Sequence, residues 1–173
     1  MARVFAFVDT TGSDSLSRGR EAQTVKLAQR ERRSAQRTHW AAQLAVASEL
    51  CKRGYEVAVT MGMHPVFDLM VVSPKGMPLL IDVIGQYKKN VWPVRLKKAR
   101  GKLFYVLAFV PDVGQNRYFI VTQETLEKEI QRDLQHAVAR RKARGLDGEP
   151  LSLPIVEWDF AKKHEGAWKV LPE

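Results

Sequence analysis

Residues 66–89, VFDLMVVSPKGMPLLIDVIGQYKK, hold two apolar runs broken by a turn, and each run carries one aspartate. Runs of Val, Ile, Leu and Phe this long read as β-strands, and SPKGMP between them has the Pro and Gly of a hairpin turn. Side chains alternate along a strand, so Asp68 shares a face with Met70 and Val72, while Phe67, Leu69 and Val71 take the other. In the second run Leu80, Asp82 and Ile84 share a face. The turn lies midway between the aspartates, so antiparallel pairing puts them about opposite each other, with neighbouring side chains ~5 Å apart. Two carboxylates that close repel, and each raises the other's pKa unless a cation lies between them. A hard divalent ion such as Mg²⁺, with Mn²⁺ as its substitute, takes one or two carboxylates and completes its shell with water. The competing reading is structural: one aspartate caps a turn or pairs with an arginine.

The flanking sequence surrounds this hairpin with an α/β pattern. THWAAQLAVASELCKRG (38–54) predicts a helix with Thr38 as N-cap, Gly54 as its stop, and an apolar stripe of Trp40, Leu44, Ala47, Leu50 and Cys51. YEVAVT predicts a strand before the hairpin; LFYVLAFV and RYFIV predict two more after it. Thr122 is placed to cap a helix over 123–143, with Leu126, Ile130, Leu134 and Val138 as its buried face. The tail, with Trp158, Phe160 and Trp168, predicts an edge strand or a docked turn. Ahead of all this, RVFAFVD (3–9) predicts a short strand and residues 20–36 an exposed basic helical arm. Helix, several strands, helix and tail in that order predict an α/β fold with a central mixed sheet flanked by helices.

Composition narrows the function classes. The 173 residues suit one domain with a sizeable core, and no apolar run approaches the ~20 residues of a membrane span. Asp9 ends the short apolar start too early for a secretory signal, and one cysteine, Cys51, excludes an intramolecular disulfide or a cysteine metal cluster. The expected compartment is the reducing cytoplasm, with Cys51 a buried structural thiol. A formal charge of +9 and a pI near 9.8 attract polyanions; charge alone does not separate DNA, RNA and an anionic membrane, and the expected partner is nucleic acid, with no membrane.

QLAVASELCKRGYEVAV from Gln43, then VFDLMVV, then LLIDVIGQ, then a tryptophan and an apolar strand, resemble the PD-(D/E)XK nuclease-like superfamily. The likeness spans residues 38–121, roughly half the chain. It implies a restriction-endonuclease-like αβββαβ core over residues 38–173, preceded by an N-terminal arm over 1–37. It also implies that Asp68 and Asp82 bind Mg²⁺, that a lysine two residues after the second acid positions or activates water, and that a helix glutamate completes the shell. Here Ile84 occupies the lysine position and Gln43 the likely glutamate position. Ile84 can neither donate a proton nor orient water, and losing such a group commonly costs on the order of 10²–10³ in rate. Lys102, at the start of the next apolar strand, is the candidate for a relocated lysine, and His64 is a candidate base or a turn residue without a role.

Lys88, Lys89, Arg95, Lys97, Lys98, Arg100 and Lys102 make the connection after the hairpin strongly basic, which suits phosphate contacts. Trp92 within it either stacks on a base or sugar, or anchors the loop to the core. Arg140, Arg141, Lys142 and Arg144 close the long helix, where they suit its dipole with or without a ligand. Three functions follow as expectations: a nucleic-acid binder, DNA ahead of RNA, with a degraded metal site; an active Mg²⁺-dependent endonuclease with relocated groups; or a non-catalytic basic module, dimeric or bound to RNA or protein.

Overall fold

The computed structural model describes residues 32–60, 66–98, 101–146 and 153–173. The chain divides into two units, Met1–Arg33 and Ser34–Glu173, and every described element belongs to the second. The predicted strand at 3–9, most of the basic arm, His64 and Arg100 lie outside the described residues.

Helix α1 (Ala35–Lys52) starts three residues ahead of the predicted cap, because Ser34 caps it, its hydroxyl accepting the Arg37 N–H at 3.2 Å. Thr38 instead lies in the first turn, buried, with its hydroxyl donating to the Ser34 carbonyl at 3.0 Å. The helix ends as expected, since Gly54 adopts φ +83°, a conformation that costs other residues a Cβ clash. Its buried face is rotated from the predicted stripe: Ala42, Gln43, Val46, Ala47 and Leu50 are buried, whereas Leu44 and Cys51 are exposed. The small residues of the helix face the sheet, and this permits close approach.

The strands follow in the predicted order: β1 (Glu56–Val59), β2 (Leu69–Val72), β3 (Pro78–Gln86), β4 (Trp92–Pro93), β5 (Leu103–Phe109) and β6 (Arg117–Thr122). Thr122 caps helix α2 (Gln123–Ala143), its hydroxyl accepting the Thr125 N–H at 3.2 Å. The tail holds β7 (Ile155–Val156), a short helix α3 (Trp158–Lys162) and a 3₁₀ turn (Trp168–Val170). Five strands form one mixed sheet in the order β1-β2-β3-β5-β6, with only β3 and β5 parallel, while β4 and β7 make a separate antiparallel pair. An αβββαβ order places a helix between the third and fourth sheet strands; here the described residues of that connection are extended and include β4.

Two apolar cores fill the two faces of the sheet. One unites Ala42, Val46 and Leu50 of α1 with Leu69, Val71, Ile81, Val83, Val106 and Ile120. The other joins Leu103, Tyr105, Leu107, Phe119 and Val121 to Leu126 and Ile130 of α2, and to Trp92, Val94 and Val156. Strand alternation assigns Asp82 to this second face, since it aligns with Tyr105 of β5. The predicted buried face of α2 holds only at its start: Leu126 and Ile130 are buried, Leu134 is partly covered and Val138 is exposed. Among the described residues no helix is long and apolar enough to cross a membrane.

Candidate functional site

β3 changes partners halfway along. Its pairing with β2 runs from Val72–Pro78 to Leu69–Ile81 and stops there, whereas its pairing with β5 continues to Gln86–Phe109. One step past the last β2 pair, the Asp68 carboxyl comes beside that of Asp82. Asp68 is locked at this fork through its backbone: its N–H donates to the Ile81 carbonyl at 2.9 Å, and its own carbonyl accepts Thr60 N–H at 2.9 Å. The Thr60 hydroxyl donates to the same carbonyl at 2.8 Å. The Asp68 carboxylate then fills the place of the missing ladder bond, with Oδ2 accepting the Val83 N–H at 2.8 Å.

Helix α1 closes in on the unpaired half of β3 because Gly85 has no side chain. A Cβ there would lie 2.5 Å from the Ala42 Cβ and 3.1 Å from the Thr38 carbonyl oxygen. This approach carries His39 toward the fork, and Gln43 follows one helical turn further along α1. His39 Nε2 reaches Asp68 Oδ1 at 3.5 Å, with the imidazole about one third exposed at 34%. Gln43 is fully buried, and neither its Oε1 nor its Nε2 has a protein partner. An unsatisfied buried amide costs on the order of 1–3 kcal/mol per group, so native proteins keep one where a water, ion or ligand meets it.

Asp82 is the electrostatic centre of the site. Burial pushes its carboxyl up to about 6; the hydrogen bond and charge of Lys97 act the other way, and the neighbouring Asp68 raises it further. Lys97 Nζ donates to Asp82 Oδ1 in a short ion pair. Lys97 is placed by its backbone, whose N–H donates to the Tyr105 hydroxyl at 3.0 Å, and Tyr105 is the residue aligned with Asp82 across β3 and β5. Burial, with Asp82 nearby, raises the Tyr105 phenol in turn. Upstream, Val94 is tied to the tail by its N–H on the Pro154 carbonyl at 2.9 Å, and Trp92 pairs with Val156.

Several sequence expectations change here. Lys102, the candidate relocated lysine, is exposed and alternates with Leu103 onto the face away from Asp82; the ammonium beside Asp82 belongs to Lys97. Lys97 reads as a phosphate contact in a basic loop, and the alternation of the buried Val94 and the partly buried Leu96 is the signal that this loop packs down on the core. Trp92 does not offer its ring to a base: it is fully buried, 5.5 Å from Phe119 and 4.8 Å from Trp158, centroid to centroid. Ile84 is partly buried against the same core. Of the remaining basic residues, Lys88 and Lys89 are exposed over the rings of Tyr87 and Trp158, and Arg95 and Lys98 are exposed.

For Mg²⁺ the fit rests on hard oxygens. Asp68 and Asp82 meet at the fork, where Asp68 Oδ2 accepts the Val83 N–H, Asp68 Oδ1 has His39 Nε2 at 3.5 Å and Asp82 Oδ1 accepts Lys97, and the Gln43 carbonyl is a buried acceptor without a protein partner. Two carboxylates with water suffice for this ion. Among the described residues no group of three or more His, Cys, Asp and Glu is arranged to hold a metal, which limits the protein's charged share to that pair. No family model, curated protein or solved structure matches the chain.

Proposed function

We propose that the chain is a nucleic-acid phosphodiesterase of the restriction-endonuclease-like, PD-(D/E)XK kind, Mg²⁺-dependent and acting on DNA ahead of RNA, with Lys97 in the lysine role. The observation that carries this reading is the Lys97 ammonium on Asp82, beside a second carboxylate. The expectation of a degraded site rested on Ile84; a lysine entering from the next connection removes the stronger of its two grounds. Asp68 and Asp82 would hold the ion, with Gln43 as a neutral oxygen donor. When bound, the ion supplies charge neutralisation at the phosphate and a more acidic water.

The rest is the work of the chain's own side chains. Lys97 keeps a positive charge beside the carboxylates, where it can orient a water for attack or stabilise charge growing on a phosphate oxygen. Burial strengthens that effect, because water screens it less. Tyr105 holds the Lys97 backbone, so the ammonium is anchored to a sheet strand rather than to a free loop.

A second reading, nucleic-acid binding without cleavage, has its own observation: Lys97 already neutralises Asp82, and Gln43 brings no charge to hold an ion. Plasmid nicking with Mg²⁺ or Mn²⁺ separates the two. The first reading expects wild-type nicking, none in Asp82→Ala, and partial return when Lys97→Ala is combined with Ile84→Lys. Binding with no nicking by any of these proteins selects the second.

A further inference from the structure

We infer that the C-terminal half of α2 is the main contact surface for a nucleic-acid phosphate backbone, an inference that rests on the nucleic-acid reading above. After Ile130 and the partly covered Leu134, α2 leaves the core, and the exposed Gln135, His136, Val138 and Arg140 lie on its projecting half. From Gln131 to Ala143 the helix runs roughly 20 Å at 1.5 Å per residue. A nucleic-acid strand presents one charge per ~3.4 Å, so this length spans about six phosphates.

The two halves of the helix differ in how their charges are used. In the first half each cation has an acidic partner one turn away: Lys128 with Glu124 at 2.7 Å, and Arg132 with Glu129. Past residue 132 the acidic residue is Asp133, and its Oδ2 is occupied by the Ile155 N–H at 3.1 Å. Arg140, Lys142 and Arg144 are exposed and have no acidic partner among the described residues. Arg132, His136 and Arg140 follow at one-turn spacing along a groove of about 220 Å³ that Glu129, Asp133, Ile155 and Glu157 also line, so the cations left for a phosphate are those at the helix end. Arg140 and Lys142 stand in the last turn and Arg144 at the C-cap, so the helix dipole favours these charges as well.

The basic connection at 88–98, the obvious phosphate surface in the sequence, is more heavily committed. Lys97 is held by Asp82, and Lys88 and Lys89 lie over aromatic rings. A second copy of this chain is a poorer occupant of α2 than a polyanion, since two such helices repel and Val138 offers little apolar area between them.

The test is binding of the full chain to a fluorescent DNA duplex from about 50 to 200 mM salt, where each phosphate contact contributes roughly −0.9 to the slope of log K on log salt. The triple variant Arg140→Ala, Lys142→Ala, Arg144→Ala is expected to lose two to three contacts, roughly 2–3 in slope. The charge-keeping triple Arg140→Lys, Lys142→Arg, Arg144→Lys is expected to keep the wild-type slope. Circular dichroism on both confirms that α2 persists. A wild-type slope in the alanine triple, with the loss appearing in Lys88→Ala, Lys89→Ala, overturns this inference and leaves the nucleic-acid reading standing. Absence of salt-dependent duplex binding by the wild type overturns both, as does binding only to vesicles of anionic lipid.

Discussion

The two halves of β3 show how one strand serves as scaffold and then as site. From Pro78 to Ile81 it pairs with β2, joined by β5 from Leu80 on, and Leu79 and Ile81 enter the apolar core. From Asp82 to Gln86 only β5 accompanies it, and the open side is filled by the Asp68 carboxylate and by α1. The residues of the first half stabilise the body through burial. Those of the second half meet charges that burial penalises, and they are held by specific partners instead. The two carboxylates occur where the ladder stops, and there the Val83 N–H is a ladder donor left for a side chain.

The largest effect expected at the open half is chemical. On the phosphodiesterase reading, Asp82→Ala is expected to remove metal-dependent nicking, whereas Leu79→Ala, in the paired half, is expected to lower stability by about 2–5 kcal/mol and leave the nicking by the folded fraction unchanged. Nicking that survives in Asp82→Ala breaks the comparison. Next in size is Lys97→Ala, expected to reduce the nicking rate on the order of 10²–10³ and, by leaving the buried Asp82 carboxylate without its partner, to lower the melting temperature at neutral pH. Lys102→Ala, measured beside it, is expected to cut at the wild-type rate.

Gly85→Ala sharpens the structural side. Its Cβ meets the Ala42 Cβ and the Thr38 backbone, neither of which can swing away, so overpacking of about 1–3 kcal/mol is expected in urea unfolding. Adding Ala42→Gly relieves the nearer contact but costs about 1 kcal/mol of helix propensity, so recovery is partial. Full stability in Gly85→Ala means that α1 does not approach β3 this closely.

The pH dependence of folding, without added metal, follows from Asp82. Its folded pKa, about 6, is raised above the ordinary value, so the folded state binds more protons than the unfolded state between the two. Stability then falls as pH rises from about 4 to about 6, and Asp82→Asn is expected to flatten that slope in denaturant titrations across this window. The smallest effect lies far from the fork. Arg117 donates through Nε and Nη2 to both oxygens of Glu165, each at 2.6 Å, and lowers that carboxyl. Its contribution is present above the ordinary glutamate range and lost as pH falls through the lowered value. With both groups well exposed, Glu165→Gln is expected to cost under about 1 kcal/mol.

Much of the fold was legible in the sequence. The strands at 56–59, 69–72, 78–86, 103–109 and 117–122 declare themselves by apolar runs between turn residues, and the facing of Asp68 and Asp82 follows from parity across a symmetric turn. The helix at 123–143 was legible in position but not in depth, since Val138 continues the apolar period after the core has ended. The phase of α1 was misread because Leu44 and Cys51 are more apolar than the small Ala42 that packs on Gly85.

By itself, the sequence determined which strands exist, that they place two carboxylates opposite each other, and that the chain is strongly basic. These follow from local rules: alternation along a strand, turn chemistry and summed charge. Tertiary structure alone decided which lysine meets Asp82. Lys97 and Lys102 read alike in a run of cations, but Tyr105 and the tail pin one onto the core while strand parity turns the other away. A salt bridge between residues 15 apart in the chain depends on the path of a folded loop, and the apolar alternation of that loop says that it packs down but not which lysine meets Asp82.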